Sequence, residues 1–178
     1  HILGSWKVTG VPVLDIHELA AGKLTALFAR KQTRDLFDSH KILSMHDLDL
    51  QRLRIGFLVY GAMSRKDWRT INVDEVKLDV SELENQLIPT LRTKTIGSRE
   101  KIKEFGEKME SECRSMLSAI LPFTDNERAF LDMLLDHGCI DPALLTADPI
   151  LQRRINNQPL LKWKAQNIRK YKGLPEDP

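Results

Sequence analysis

The chain has few of the residues that define specialised protein classes. Only two of its 178 residues are cysteines, Cys113 and Cys139, too few for a disulfide framework or for a zinc site by themselves. The longest apolar run, residues 55–63, is about half of what a membrane-spanning helix needs. No basic-then-apolar signal peptide opens the chain. These absences favour a protein of the reducing cytoplasm that does not enter a membrane.

The overall composition is ordinary, but the charge is unevenly distributed. Apolar residues make up 42% and charged residues 29%, which is enough for one hydrophobic core. Residues 124–150 contain six acids and one arginine, whereas residues 151–178 contain seven bases and two acids. A basic end segment can attract nucleic acid or an acidic partner. Charge alone favours the simpler interpretation, in which these are solvated helix faces neutralised by the acidic segment.

The first residues have the pattern of a β-strand. Residues 6–9 and 11–14 are rich in β-forming side chains and are interrupted by Gly10 and Pro12, as in an edge or bent strand. A lone strand has unpaired edges, so it implies a sheet that this chain only partly supplies. Because the chain also begins with His1 instead of Met, we interpret it as a fragment of a larger protein.

Helix patterns and caps cover most of the remaining chain. Asp-Pro pairs at 141–142 and 148–149 place a cap before a proline at the first helical position. The other predicted helices span residues 15–31, 33–43, 48–61 (central to the core), 81–89 (opened by a capping box at 81–84), 98–121, 124–138 and 160–171 (with Trp163 on its apolar side). Residues 64–80 form the least regular stretch, with Trp68 as its docking residue. The predicted fold class is mainly α: a short N-terminal β element followed by a helical bundle.

The segment 19–38 holds the candidate functional residues. Helical spacing places Lys23 and Arg30 on one side of the first helix, and Asp35 and Asp38 on one face of the second. Cations facing carboxylates can hold phosphate oxygens and orient an attacking group. On spacing alone, structural roles are favoured: a surface salt bridge of Arg34 with Asp38, a first-turn acid at Asp35 and a snorkelling Lys23.

The combined pattern resembles the AbiEii/AbiGii family of nucleotidyltransferase toxins from bacterial toxin–antitoxin and phage-abortive-infection systems. It comprises Glu18-Leu19, Lys23, Ala26-Leu27, Arg30 and Arg34-Asp35-Leu36-Phe37-Asp38. A weaker resemblance lies at residues 159–165, where a proline and leucines precede a tryptophan, as in the family's C-terminal helix. The resemblance implies that residues 1–45 end a nucleotidyltransferase domain and that residues 46–178 form a helical domain.

Roles for individual residues follow only from this resemblance. It implies that Lys23 contacts the phosphates of a nucleoside triphosphate and that Asp38 is an active-site carboxylate. Asp35, Arg30 and Arg34 would bind nucleotide or support the site. The implied partners are the nucleoside triphosphate, an acceptor such as tRNA and a cognate antitoxin, and the implied cofactor is Mg²⁺.

The family's metal-binding Asp-x-Asp pair has no counterpart in the expected place. Asp47-Leu48-Asp49 has the letters but follows the lysine helix, whereas the family order places the pair well before it, and Gly4-Ser5 is rejected with it. We therefore expect no metal ligand in this chain and no activity from this piece alone, because nucleotidyl transfer needs a divalent metal. The alternative is a non-enzymatic helical module that binds nucleic acid or another protein.

Overall fold

Helices dominate the architecture. The computed structural model describes residues 9–44, 48–91 and 98–175, and no strand occurs within these ranges. Its helices are α1 (Ile16–Arg30), α2 (Thr33–Leu43), α3 (Leu50–Ala62), α4 (Val80–Glu82), α5 (Arg99–Leu117), α6 (Asp125–His137), α7 (Pro149–Asn156) and α8 (Pro159–Lys172). None of these described helices is long and apolar enough to cross a membrane. The prediction of a mainly α protein is confirmed.

The connection between α3 and α5 is built from short turns. The 3-10 turns Trp68–Thr70 and Val73–Glu75 come first, α4 continues as the π-helical turn Leu83–Leu87, and the 3-10 turn Ile88–Thr90 follows. Trp68 is fully buried. The prediction of an irregular stretch docked by this tryptophan is therefore confirmed.

Side-chain caps fix several helix starts where the sequence predicts them. The Asp15 carboxylate accepts from the backbone N–H of His17 at the start of α1. Thr124 and Glu127 form a reciprocal capping box on α6, and Asp148 caps α7 before Pro149. These starts are predictable because a cap and its partner lie within three residues of each other.

The capping box predicted at residues 81–84 is wrong. Asp79 caps α4 instead, by accepting from the N–H of Glu82. The Glu82 carboxylate is used elsewhere, since it accepts from the N–H of Thr33 at 2.8 Å and so caps α2. Glu84 accepts from Arg99 at 2.8 Å. Partners far along the chain thus override the local pattern.

Two further helix predictions need correction. The helix predicted to reach residue 121 ends at Leu117, and turns follow it. Trp163, predicted on the apolar side of the last helix, is 64% exposed. The buried stripe of α8 is formed by Leu161, Ala165 and Arg169, which leaves the tryptophan on the other side of the helix.

The predicted N-terminal β element, residues 6–9 and 11–14, lies partly outside the described residues. Residues 9–14 have no regular secondary structure, and Val13 in this stretch is 85% exposed. Residues 1–8 are outside the described part of the chain. The β element therefore stays a prediction.

The core is centred on α1 and α3, the helix pair with the most extensive contacts. Phe28 of α1 lies 5.6 Å from Phe57 of α3 between ring centroids, and Trp68 lies 5.2 Å from Phe57 in a T-shaped arrangement. The predicted central position of the third helix is confirmed, because Leu53, Phe57 and Leu58 are fully buried. The predicted domain boundary after residue 45 stays a prediction.

Candidate functional site

A tight reversal brings α1 and α2 side by side. Lys31 ends α1 in the left-handed conformation (φ 56°), and its N–H donates to the carbonyl of Leu27. Only Gln32 separates it from α2, so the chain must fold back on itself. The two helices pack against each other. Lys23 and Asp38, both near the middle of their helices, consequently lie opposite one another.

Lys23 and Asp38 form an ion pair across the two helices. Lys23 Nζ donates to Asp38 Oδ2 at 2.6 Å. The two side chains are 43% and 42% exposed, so a ligand can reach both of them. The two side chains therefore lie on one exposed surface of the α1–α2 pair, while their catalytic role stays a prediction.

A second ion pair joins the same two helices near the reversal. Arg30 donates to the Asp35 carboxylate through two bonds, from Nε at 3.0 Å and from Nη2 at 2.6 Å. The Asp35 side chain is only 4% exposed, whereas that of Arg30 is 53% exposed. Hydrogen bonding to Asp35 raises the pKa of Arg30 above its ordinary value, and the charge of Asp38 adds to the effect. Asp35 therefore fixes the position of an exposed guanidinium.

Arg34 differs from the other cations of this surface. It is exposed, and it forms no ion pair with any residue that the structure describes. The surface salt bridge with Asp38 that its spacing favours is therefore not formed, because Asp38 pairs with Lys23 instead. The guanidinium of Arg34 is left available to a ligand on the face that also carries Asp38.

Ser39 is a contributor that the sequence analysis missed. It is fully buried next to Asp38, and its hydroxyl donates to the Lys23 carbonyl at 3.4 Å. This contact holds the backbone of α1 beside α2 at the level of the ion pair. A small polar residue on a packed helix face is the only signal in the sequence, and it is too common to be specific.

A cavity of about 540 Å³ lies on another side of α1. Its walls come from the starts of α1 and α8, from α3 and from α7. The ion pair of Lys23 and Asp38 lies elsewhere, on the side of α1 that packs against α2. On one wall Glu18 accepts from Arg154 and from the Tyr60 hydroxyl. Burial raises the pKa of Tyr60, and the Glu18 charge raises it further. Because Glu18 is engaged here, it does not serve with Asp15 as a capping-box partner at the start of α1.

The described residues do not assemble a metal site. No group of three or more His, Cys, Asp or Glu side chains in the described ranges is arranged to hold a metal ion. The two carboxylates of the candidate surface, Asp35 and Asp38, are already paired with cations. Asp47 lies outside the described residues. These side chains therefore do not fit Mg²⁺ by themselves, and we assign no step to a metal here.

The fold and the candidate surface define the class of this protein. It is mainly helical, and cations are paired with carboxylates between its first two helices. A family model described as "Nucleotidyl transferase AbiEii toxin, Type IV TA system" matches residues 3–165. The chain therefore belongs to the AbiEii family of nucleotidyl transferase toxins, which are part of type IV toxin–antitoxin systems. Membership of such a system implies a cognate antitoxin as a partner. No curated protein and no solved structure matches the chain.

The family match extends well beyond the residues that carry the resemblance in the sequence. It includes the whole α1–α2 pair and continues through the central helices to residue 165, near the middle of α8. The central helices have generic amphipathic patterns, so the sequence read alone shows no family signal there. The match thus places both the candidate surface and most of the helical bundle within one family.

Proposed function

We propose that Lys23 and Asp38 are catalytic residues of a nucleotidyl transferase that moves a nucleotide from a nucleoside triphosphate to an acceptor such as tRNA. The observation that carries this proposal is the 2.6 Å contact between Lys23 Nζ and Asp38 Oδ2. The contact joins two helices at an exposed surface, and it lies inside the region matched by the family.

The chemistry of the pair suits phosphate transfer. An ammonium group attracts the oxygens of a triphosphate and stabilises the negative charge that develops on them as the bond to the leaving pyrophosphate breaks. When Lys23 turns to the phosphates, the Asp38 carboxylate is free to orient a cation or an attacking hydroxyl. Its 42% exposure favours Asp38 over the buried Asp35 for this role.

The neighbouring arginines support the same surface. Arg30 uses two N–H donors on Asp35, and a guanidinium has five, so further donors remain for a phosphate. Arg34 forms no ion pair with the described part of the chain and adds a second guanidinium. We propose that Arg30 and Arg34 bind the nucleotide or the acceptor, and that Asp35 holds Arg30 in place.

Nucleotidyl transfer needs a divalent metal, expected to be Mg²⁺. The metal neutralises the triphosphate and positions the attacking oxygen. The described residues hold no cluster of ligands for it, and no Asp-x-Asp pair precedes Lys23 in the sequence. We therefore propose that the metal-binding carboxylates come from a separate nucleotidyltransferase half and that this chain alone transfers no nucleotide.

The test replaces each catalytic residue in the protein that carries this chain together with the metal-binding half. Lys23→Ala and Asp38→Ala should each lower incorporation of labelled nucleotide by about a hundredfold, through lost stabilisation of the transition state. Each should also relieve growth arrest of bacteria that express the toxin. The 178-residue chain alone should give no incorporation above background.

A matched control is available far from the surface. Glu84→Ala removes an ion pair with Arg99 and should leave activity unchanged. If wild type and Lys23→Ala arrest growth equally at matched expression, Lys23 is a surface residue without a catalytic role. The non-enzymatic helical module would then be the better description of this chain.

A further inference from the structure

The outer face of α8 carries aromatic side chains that no other described helix covers. Trp163 is 64% exposed and Tyr171 is 91% exposed. Lys170 is also exposed, and it lies seven residues after Trp163, on the same side of the helix. An exposed aromatic ring offers a partner a large apolar contact surface. We use the term α8 outer face for Trp163, Lys170 and Tyr171, with Lys162 beside Trp163 at its edge.

The surrounding segment is uniformly basic. Residues 149–175 contain no acidic residue. The basic residues of this segment are Arg153, Arg154, Lys162, Lys164, Arg169, Lys170 and Lys172. Because Arg154 pairs with Glu18 and Lys172 with Asp136, the positive charge that can attract anions lies on the remaining bases of α7 and α8.

The acidic segment before α7 neutralises only part of this charge. Most of its carboxylates are engaged within the bundle as follows: Glu127 with Arg54, Asp132 with Arg69, Asp136 with Arg69 and Lys172, Asp141 with the N–H of Ala143, and Asp148 with the N–H of Ile150. Lys162 donates only to the neutral Asn157, and Lys170 has no ion pair among the described residues. The charge of the α8 outer face is therefore available to a partner.

We propose that the α8 outer face binds single-stranded nucleic acid, with bases stacked on Trp163 and Tyr171 and phosphates held by Lys162 and Lys170. Surfaces that bind single strands combine basic side chains with aromatic rings, because every base presents a π-face and every linkage a negative charge. In a duplex the bases are stacked on each other and cannot reach the rings. The proposal goes beyond the nucleotidyl-transfer surface and does not depend on Lys23 or Asp38.

The experiment measures binding of a fluorescein-labelled single-stranded 12-nucleotide RNA to the 178-residue chain by fluorescence anisotropy, without nucleoside triphosphate. Trp163→Ala should weaken binding about tenfold, as expected for loss of one stacked base. Trp163→Phe keeps a π-face and should retain most of the affinity. Because the side chain is largely exposed, circular dichroism should show both variants folded like wild type.

Salt dependence tests the lysines. Replacing two phosphate-binding lysines, as in Lys162→Gln with Lys170→Gln, should lower the slope of log K against log salt by about 1.4. The matched control, Lys101→Gln with Lys103→Gln on the exposed face of α5, removes the same charge and should leave the slope nearly unchanged. Equal slopes for the two double variants would contradict the proposal.

Other probes separate the alternatives. Single-stranded DNA of the same sequence should bind comparably, whereas a blunt duplex of equal length should bind at least tenfold more weakly. Binding that is equally tight for duplex, or unchanged in Trp163→Ala, overturns the proposal. A Trp163→Ala variant that still binds RNA but no longer binds the antitoxin also overturns the proposal, because the face is then a protein interface. The binding assay contains no nucleoside triphosphate and measures no nucleotide transfer, so this proposal and the nucleotidyl-transfer proposal can fail separately.

Discussion

The two ion pairs between α1 and α2 differ in how far their carboxylates are buried. Asp35 is 4% exposed and receives two hydrogen bonds from Arg30, whereas Asp38 is 42% exposed and receives one from Lys23. A buried acceptor that loses its partner has no water to replace it, while an exposed one does. At the scale of single residues, Asp35 therefore belongs to the framework and Asp38 to the accessible surface.

This difference predicts unequal losses of stability. Asp35→Ala should lower the free energy of unfolding by about 2 kcal/mol, since it removes a bidentate bond and a first-turn acid of α2. Asp38→Ala should change it by less than about 1 kcal/mol, because exposed pairs contribute little. Urea unfolding of the two variants gives both values. Equal losses would mean that Asp38 also supports the fold.

Glycine is required at one position of the core. A Cβ on Gly61 of α3 would lie 1.8 Å from Cε2 of Trp68, far inside the contact distance, and that ring is fully buried. Gly61→Ala should therefore lower the unfolding free energy by about 3 kcal/mol despite the better helix propensity of alanine. Gly22→Ala is the control, because its Cβ would lie 3.8 Å from Tyr60 and so would not clash. This substitution should stabilise α1 by up to about 1 kcal/mol, since alanine has the better helix propensity. Thermal melts that rank the two variants the other way would contradict this packing.

At the scale of helices, a single arginine ties α3 to the start of α6. Arg54 donates to both Glu127 oxygens, at 2.5 and 2.6 Å, and to the carbonyl of Pro122 at 2.7 Å. Burial alone would raise the pKa of Glu127, but bonds from Arg54 and Thr124 outweigh it and hold the pKa below its ordinary value of 4.5. The ionised carboxylate therefore stabilises the folded state.

The sign of this shift fixes a dependence on pH. Because the folded pKa of Glu127 is lower than the unfolded one, its contribution is fully present above about pH 4.5 and is lost as pH falls through the folded pKa. Glu127→Gln should thus be about 2 kcal/mol less stable than wild type at pH 7, and the gap should shrink below pH 4. Urea unfolding of both proteins across this range measures the gap. A gap that is constant with pH would mean that the pair is not ionised in the folded state.

The same contacts show which elements can be predicted from sequence. α1, α2, α6 and α7 begin within one residue of their predicted starts, because caps and apolar spacing are local signals. Arg54 and Glu127 were not predicted as partners, because 73 residues separate them and neither lies in a distinctive pattern. The predicted side of α8 for Trp163 is wrong, because helix periodicity cannot tell a buried stripe from an exposed apolar one.

The candidate surface was partly predictable for a geometric reason. A reversal of only two residues forces α1 and α2 to be antiparallel neighbours, so Lys23 and Asp38 must lie at similar heights. The positions of Lys23 and Asp38 relative to the reversal therefore predict that the two side chains lie close together. The anchoring of the start of α2 by Glu82, 49 residues further on, could not be foreseen, because it depends on how the irregular segment before α5 folds back.

At the scale of the whole molecule, the core runs across the predicted domain boundary near residue 45. Leu24 and Phe28 lie before it and Phe57 and Leu117 after it, and all four are buried in the same apolar cluster. A segment that shares its core with the rest of the chain cannot unfold without exposing the apolar surface of both sides. The boundary that we predict from the family pattern would then separate functional regions and not folding units.

The last prediction follows from that shared core. Calorimetry of the 178-residue chain should show one heat-absorption peak with equal calorimetric and van't Hoff enthalpies. Leu24→Ala before the boundary and Leu117→Ala after it should each cost about 3 kcal/mol and move this same peak down by about 6–12 °C. Val13→Ala, at a position 85% exposed, should leave it within about 1 °C. Two peaks, each moved by only one of the leucine variants, would mean that residues on the two sides of the boundary unfold separately despite their packing.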